Sequence, residues 1–161
     1  MGISFNADEI FAMAVEIERT AAKFYRKAAE NASDENIKQA LLRFAIMEDA
    51  HEIIFESMVN QIRQESAKVV YDPDGVGEAY LRAIADSRGW EGKASPEKEL
   101  TGDETIQDVL NSALSAEKES IAFYTGLKEI VSSEEGKLQV EAIIREEMTH
   151  VAQLTKMLAD L

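Results

Sequence analysis

Apolar residues recur at spacings of three and four along four long stretches of this chain. That spacing is typical of amphipathic helices whose apolar faces meet in a common interior. It predicts helices over about residues 6–30, 34–66, 104–131 and 133–160. Ala, Glu, Lys, Leu and Met, which favour helix, fill these stretches.

Short polar breaks separate the helices within each pair and supply side chains that can cap a helix. We expect Ser33 to cap the second helix and Ser132, with Glu135 three residues later, to cap the fourth. Thr101 and Glu104 have the same spacing before the third helix. Two helical hairpins, 6–66 and 104–160, follow from these breaks.

The segment 68–103 connects the hairpins and contains both prolines of the chain. It is long enough to run the full length of the helices, so the third helix can begin at the far end of the bundle. A short helix is predicted over 76–87, followed by a loop whose Trp90 we expect to cover the bundle. The prediction is a single all-α domain over 1–161: a four-helix bundle of two hairpins with one long crossover.

Composition narrows the possible functions. The 161 residues include 17 basic and 31 acidic side chains, a net charge of −14, which argues against binding nucleic acid or an anionic membrane surface. There is no cysteine, so disulfides, thiol nucleophiles and Cys-ligated metal centres are excluded. No apolar run approaches the length of a membrane span, and we expect a cytoplasmic protein.

Each apolar stripe carries one glutamate in its middle, and no Lys or Arg lies in any stripe. These residues are Glu18, Glu48, Glu117 and Glu147. Buried carboxylates are costly unless they are paired, and four of them would also repel one another, so bound cations are the natural compensation. His51 and His150 each follow a stripe glutamate by three residues and add a nitrogen donor on the same helix face.

The pattern occurs twice. An offset of 99 residues maps Glu18, Tyr25, Glu48 and His51 onto Glu117, Tyr124, Glu147 and His150. One Glu-x-x-His pair would be a weak signal, whereas two pairs with matching upstream glutamates are a strong one. Asp49, Glu52 and Glu146 adjoin the motifs but lie off the stripes, and we assign them to the solvated face.

These motifs resemble the rubrerythrin-like branch of the ferritin-like di-iron carboxylate proteins. The resemblance implies two irons bridged by Glu48 and Glu147, with Glu18 and His51 completing one site and Glu117 and His150 the other; Mn or Zn would accept the same donors. It also implies that Tyr25 and Tyr124 are phenols of the catalytic site that orient the carboxylates.

Two departures from rubrerythrin itself bear on activity. Rubrerythrin has an extra glutamate three residues after the third-helix ligand, where this chain has Ser120. It also has a Cys-ligated rubredoxin-like domain, which a chain without cysteine cannot form. Electrons would therefore come from an external, rubredoxin-like donor.

The resemblance favours an oxidoreductase that reduces peroxide or O₂. The alternatives are a ferritin-like protein that oxidises, stores or transfers iron, and a structural bundle with a vestigial or zinc-filled site. We also expect a homodimer or another small closed oligomer, because Ile46, Ile53 and Ile54 give the second helix more apolar width than one interior needs.

Overall fold

The computed structural model describes residues 7–65, 71–87 and 100–161, and helices account for most of them. In chain order the helices are α1 (Ala7–Asn31), α2 (Glu35–Glu65), α3 (Val76–Ser87), α4 (Ile106–Ile130) and α5 (Glu134–Ala159). No strand occurs within those three ranges. The predicted helices are confirmed, with ends that differ by no more than a few residues.

Two helix caps differ from the prediction by one residue. The Asp34 carboxylate, and not Ser33, accepts hydrogen bonds from two backbone N–H groups at the start of α2, at 2.8 and 3.0 Å. At α5 the Ser133 hydroxyl accepts from the Gly136 N–H at 3.0 Å, so Ser132 lies outside the cap. In both places adjacent residues can cap, and the start of the helix decides which one does.

The predicted cap of the third helix is also displaced. Thr105 caps α4 and forms a reciprocal capping box with Asp108. Thr101 and Glu104 do interact, since the Thr101 N–H donates to Glu104 at 2.8 Å, but they close the turn that precedes the helix. Two successive Thr-x-x-acid sequences are present, and only the second opens α4.

The long crossover carries the chain back along the bundle, as predicted. Gly102, just before α4, has φ +95°, and a Cβ at this position would lie 3.7 Å from the side chain of Asn31 at the end of α1. At the opposite end the Tyr71 N–H donates to the Ile130 carbonyl, where α4 ends. α1 and α4 are therefore antiparallel neighbours in a four-helix bundle of two hairpins. The predicted loop around Trp90 lies outside the described residues.

α3, within the crossover, packs directly on α4. A Cβ on Gly126 would lie 2.4 Å from the ring of Tyr80, so only glycine allows this close approach. The Tyr80 hydroxyl also donates to the Ala122 carbonyl at 2.8 Å. These contacts fix one side of the crossover against the second hairpin.

The core consists of two apolar clusters, one toward each end of the bundle. One includes Phe11, Phe55, Phe123, Leu127 and Ile143, and the other includes Leu41, Phe44, Leu110, Ala113 and Leu154. The stripe glutamates lie at heights between the two clusters on all four long helices. No described helix is both long enough and apolar enough to cross a membrane.

Candidate metal centre

All six predicted ligands converge in the middle of the bundle, and each exposes 4% of its surface or less. Glu18 comes from α1 and Glu117 from α4, while α2 supplies Glu48 and His51, and α5 supplies Glu147 and His150. The i, i+3 spacing on α2 and α5 places each histidine one turn from its glutamate on the same face.

The donors form two overlapping groups that share Glu48 and Glu147. The first group adds Glu18 and His51, and the second adds Glu117 and His150. Within each group every residue offers one carboxylate oxygen or imidazole nitrogen, and these four atoms lie within 4.8 Å of one another. The His51 Nδ1 lies 2.9 Å from Glu147 Oε1 and 3.4 Å from Glu18 Oε2. Each group could hold one cation with three carboxylates and one imidazole.

Several oxygen and nitrogen atoms that could bind metal have no hydrogen-bond partner although they are buried at the centre. They are Glu18 Oε2, Glu48 Oε1, His51 Nδ1 and Glu147 Oε1. The 2.9 Å approach of His51 Nδ1 to Glu147 does not have the geometry of a hydrogen bond. Unsatisfied buried polar atoms are uncommon in folded proteins, and here they are the lone-pair atoms that a metal ion would take. The residues present therefore fit a pair of metal ions.

The two tyrosines form reciprocal hydrogen bonds between the hairpins. Tyr25 on α1 donates to Glu117 on α4, and Tyr124 on α4 donates to Glu18 on α1. Burial, followed by the charge of the accepting glutamate, raises the pKa of both phenols, so both remain protonated donors. The Tyr124 bond uses Glu18 Oε1 and leaves Oε2 without a hydrogen-bond partner at the centre. Glu117 Oε1, which accepts from Tyr25, also lies 3.4 Å from His150 Nδ1.

Electrostatics separates the four carboxyl groups into two pairs. Burial is the main cause that raises the pKa of Glu18 and Glu117 well above its usual value, and neighbouring glutamates add to it. Burial also opposes ionisation of Glu48 and Glu147, but the close approach of the histidines and of a neighbouring glutamate leaves the pKa of both lowered.

The histidines respond in the opposite sense to their burial. Burial would lower the pKa of His150, but close contacts with the carboxylates of Glu117, Glu147 and Glu48, at 3.1–3.4 Å, raise it to about 12. The pKa of His51 is raised by the same kind of contacts. Without metal, the centre therefore holds protons where cations would otherwise balance the carboxylates.

One residue at the centre is not among the predicted ligands. Glu146 was assigned to the solvated face, but its Oε2 lies 2.8 Å from His51 Nε2, although half of its side chain is exposed. Its position directly before the predicted ligand Glu147 was the signal that the sequence offered. Ser120 lies one turn beyond Glu117 and is partly buried.

Comparison with known proteins places this geometry in context. The rubrerythrin family model matches residues 9–158. A Thermotoga maritima protein described as a candidate ferritin-like diiron-carboxylate protein has a similar structure, with a TM-score of 0.70 and 24% identity over 96% of this chain and 95% of that one. A manganese catalase from Anabaena gives a TM-score of 0.65 and 21% identity over 99% of this chain and 76% of that one. No curated protein matches the sequence.

Proposed function

The chain belongs to the rubrerythrin family, and from this premise we propose that it is a di-iron oxidoreductase that reduces peroxide or O₂. One observation carries the proposal. Between α1, α2 and α5, three carboxylates and one histidine each have a buried atom that could bind metal and that has no hydrogen-bond partner. A bundle that needed no metal would be more stable with apolar side chains at these positions.

The proposed ligand arrangement follows from the two overlapping groups. Glu48 and Glu147 belong to both groups and would bridge the ions. Glu18 and His51 would complete one position, and Glu117 and His150 the other. Four carboxylates balance the charge of two divalent ions, so the loaded centre would be close to neutral in the reduced state.

The donor set favours iron or manganese over zinc. Each position offers three carboxylates for one imidazole, and oxygen-rich sets suit harder ions, whereas structural zinc prefers thiolate and imidazole. Two ions that share bridging carboxylates are also suited to accepting and donating a pair of electrons. We propose iron, and manganese is the second metal to test.

The chemistry that bound iron would supply is two-electron reduction: two ferrous ions becoming ferric release two electrons, which with two protons convert H₂O₂ into two water molecules. The protein's part is to position and to shield. The apolar clusters on either side of the centre limit access of water. Tyr25 and Tyr124 hold the carboxylates of Glu117 and Glu18 in place. Re-reduction would need an external electron donor, for which a rubredoxin-like protein is the proposed class.

The test measures metal content and oxidant consumption on the same preparation. Protein reconstituted anaerobically with Fe²⁺ should bind two ions per chain, react once with peroxide, and cycle only when a rubredoxin with its NADH-dependent reductase is added. Glu48→Gln should abolish both binding of the pair and turnover, and Glu30→Gln, at an exposed position, should change neither.

Other outcomes would indicate other functions. Peroxide disproportionation without any reductant, strongest with Mn²⁺, would indicate a catalase activity like that named for the Anabaena protein. Accumulation of many ferric ions per chain would indicate iron storage. Turnover sustained by NADH alone would contradict the need for an external protein donor.

A further inference from the structure

The outer ring nitrogens of the two histidines have different partners. His51 Nε2 lies 2.8 Å from a Glu146 carboxylate oxygen, and His150 Nε2 lies 3.4 Å from the Met47 sulfur. Met47 and Glu146 are themselves related by the offset of 99 residues, and each immediately precedes a shared glutamate. A carboxylate and a thioether therefore occupy equivalent positions in an otherwise twofold arrangement.

The tyrosine bonds and the shared glutamates are the same on both sides of the centre. The Tyr25–Glu117 and Tyr124–Glu18 bonds are reciprocal, and Glu48 and Glu147 are common to both groups. These contacts give neither position an advantage. The inner nitrogens differ as well, since His150 Nδ1 bonds to Glu147 Oε2 at 3.1 Å and His51 Nδ1 has no hydrogen-bond partner. A bound ion would take the place of that inner contact, so the partner of the outer nitrogen is the polar difference that persists in a loaded centre.

That difference has a direct effect on the ligand atom. A carboxylate accepts a strong hydrogen bond from Nε2–H, which fixes the ring orientation and leaves the Nδ1 lone pair aimed at the carboxylates. A thioether is a weak acceptor, so Met47 gives His150 much less of this support. His150 also packs against Phe44, with ring centroids 4.8 Å apart, whereas the offset places Ile143 at the equivalent position.

We infer that the two metal positions are unequal, and that Glu146 is a positioning residue that makes the Glu18–His51 position bind its ion first and more tightly. This inference rests on the proposed dinuclear metal centre and adds an order of loading to it. Loss of such a partner of a metal-bound histidine typically weakens metal affinity by about 10–100-fold. We expect a difference of that order between the two positions.

The experiment is a stepwise titration of the metal-free full-length protein with Co²⁺, followed by ligand-field absorption and calorimetry. Unequal constants alone would not be decisive, because the first ion repels the second. The decisive comparison uses Glu146→Met, expected to weaken the first ion by about 10–100-fold, and Met47→Glu, expected to strengthen the second by a similar factor. Combining both substitutions should invert the order of loading.

The order is read from variants that each disable one position. Glu117→Gln leaves the Glu18–His51 position, where the ion should bind tightly and should lose affinity when Glu146→Met is added. Glu18→Gln leaves the Glu117–His150 position, where the ion should bind weakly and should gain affinity when Met47→Glu is added. Met148→Glu is the matched control for added charge, since it follows Glu147 directly but is 53% exposed. Circular dichroism of each metal-free variant checks that the helices are intact.

The outcomes separate this inference from the function on which it rests. Two bound ions with constants that neither Glu146→Met nor Met47→Glu changes would overturn the unequal positions and leave the dinuclear centre intact. Failure of the wild-type chain to bind a pair of ions would overturn both. An effect of Met148→Glu equal to that of Met47→Glu would show that only net charge matters, and it would also overturn the role of Glu146.

Discussion

The Tyr124 hydroxyl on α4 donates to the Glu18 carboxylate on α1 across the interior of the bundle. Both residues are buried, and they are separated by 106 positions in sequence. The phenol holds one carboxylate oxygen while the other, Oε2, has no hydrogen-bond partner. A tyrosine from one hairpin thus orients a candidate ligand of the other.

Tyr124→Phe should weaken the ion at the Glu18–His51 position by about 10–100-fold, because the carboxylate loses the group that orients it. The metal-free chain should lose about 1–3 kcal/mol of unfolding free energy, since a buried acceptor loses its donor. Titration with Co²⁺ and chemical denaturation measure the two effects. Tyr71→Phe, at a side chain 67% exposed, is the control; unchanged affinity in Tyr124→Phe would contradict the orienting role.

Replacing different glutamates should change the stability of the metal-free chain in opposite directions. Glu18→Gln should raise its melting temperature at pH 8, because burial raises the pKa of Glu18 and its ionisation opposes folding. Glu48→Gln should lower it, because the lowered pKa of Glu48 reflects the close approach of both histidines to its ionised form. A change of about 1 kcal/mol is typical of a single substitution and corresponds to roughly 2–4 °C for a chain of this size.

Calorimetry of both variants in the presence of a chelator tests this pair. Glu18→Gln keeps an oxygen that can accept from Tyr124, so the hydrogen bond is retained and only the charge is lost. Destabilisation by both substitutions to the same extent would contradict the division of the four carboxyl groups into two pairs.

The metal-free protein should become less stable as the pH rises. The pKa of His150 increases from 6.5 to about 12 on folding, so its contribution is complete below pH 6.5 and is lost as the pH rises toward 12. The raised pKa of Glu18 and Glu117 acts in the same direction above their usual 4.5. In each case the folded state binds more protons than the unfolded state, and stability falls with pH.

Urea denaturation between about pH 5.5 and pH 9 tests that sign. The lowered pKa of Glu48 and Glu147 has its effect below their usual value of 4.5, outside this range. Saturating metal should flatten or reverse the trend, because ions replace the protons. A metal-free protein that gains stability over the same range would contradict the assigned directions.

Ser120 offers a test of oxidant preference. If the carboxylate that rubrerythrin has at this position favours peroxide, Ser120→Glu should raise the ratio of peroxide to O₂ reaction rates by about tenfold, a gain of roughly 1.4 kcal/mol in the barrier. Single-turnover stopped-flow oxidation of the di-ferrous protein measures both rates. Ser115→Glu, exposed on the same helix, is the control; an unchanged ratio in Ser120→Glu would remove the argument.

We predict a homodimer formed through α2. Ile46 and Ile53 lie two turns apart on this helix, and each is 65% exposed, whereas Ile54 packs partly against the core. Burying large apolar side chains of this kind favours association. Light scattering should show a dimer that Ile46→Lys with Ile53→Lys dissociates and that Leu138→Lys, at an exposed position on α5, does not; a wild-type monomer at every concentration would contradict the prediction.

The sequence was sufficient to find the six candidate ligands because acidic residues in apolar stripes are costly to bury and therefore conspicuous. Periodicity shows which face a residue occupies, but not which helix lies opposite. The pairing of Tyr25 with Glu117, rather than with a group on its own hairpin, therefore required the structure. Glu146 was missed because a half-exposed residue beside a stripe looks like solvated surface, and the caps shifted because neighbouring residues could serve equally well.

The reciprocal tyrosine bonds also bear on how the molecule assembles. Within each hairpin the two helices are consecutive in sequence and pack along much of their length, α1 with α2 and α4 with α5. The Tyr25–Glu117 bond, in contrast, joins residues 92 positions apart. Local contacts form early and distant ones late, so each hairpin would form before the two dock. Docking of the two hairpins is then the step that encloses the four carboxylates. Metal ions would bind as the hairpins dock and dissociate only when the hairpins separate. The rate at which a chelator removes metal should therefore not exceed the rate at which α1 and α4 separate. Amide hydrogen exchange of these two helices measures that rate of opening.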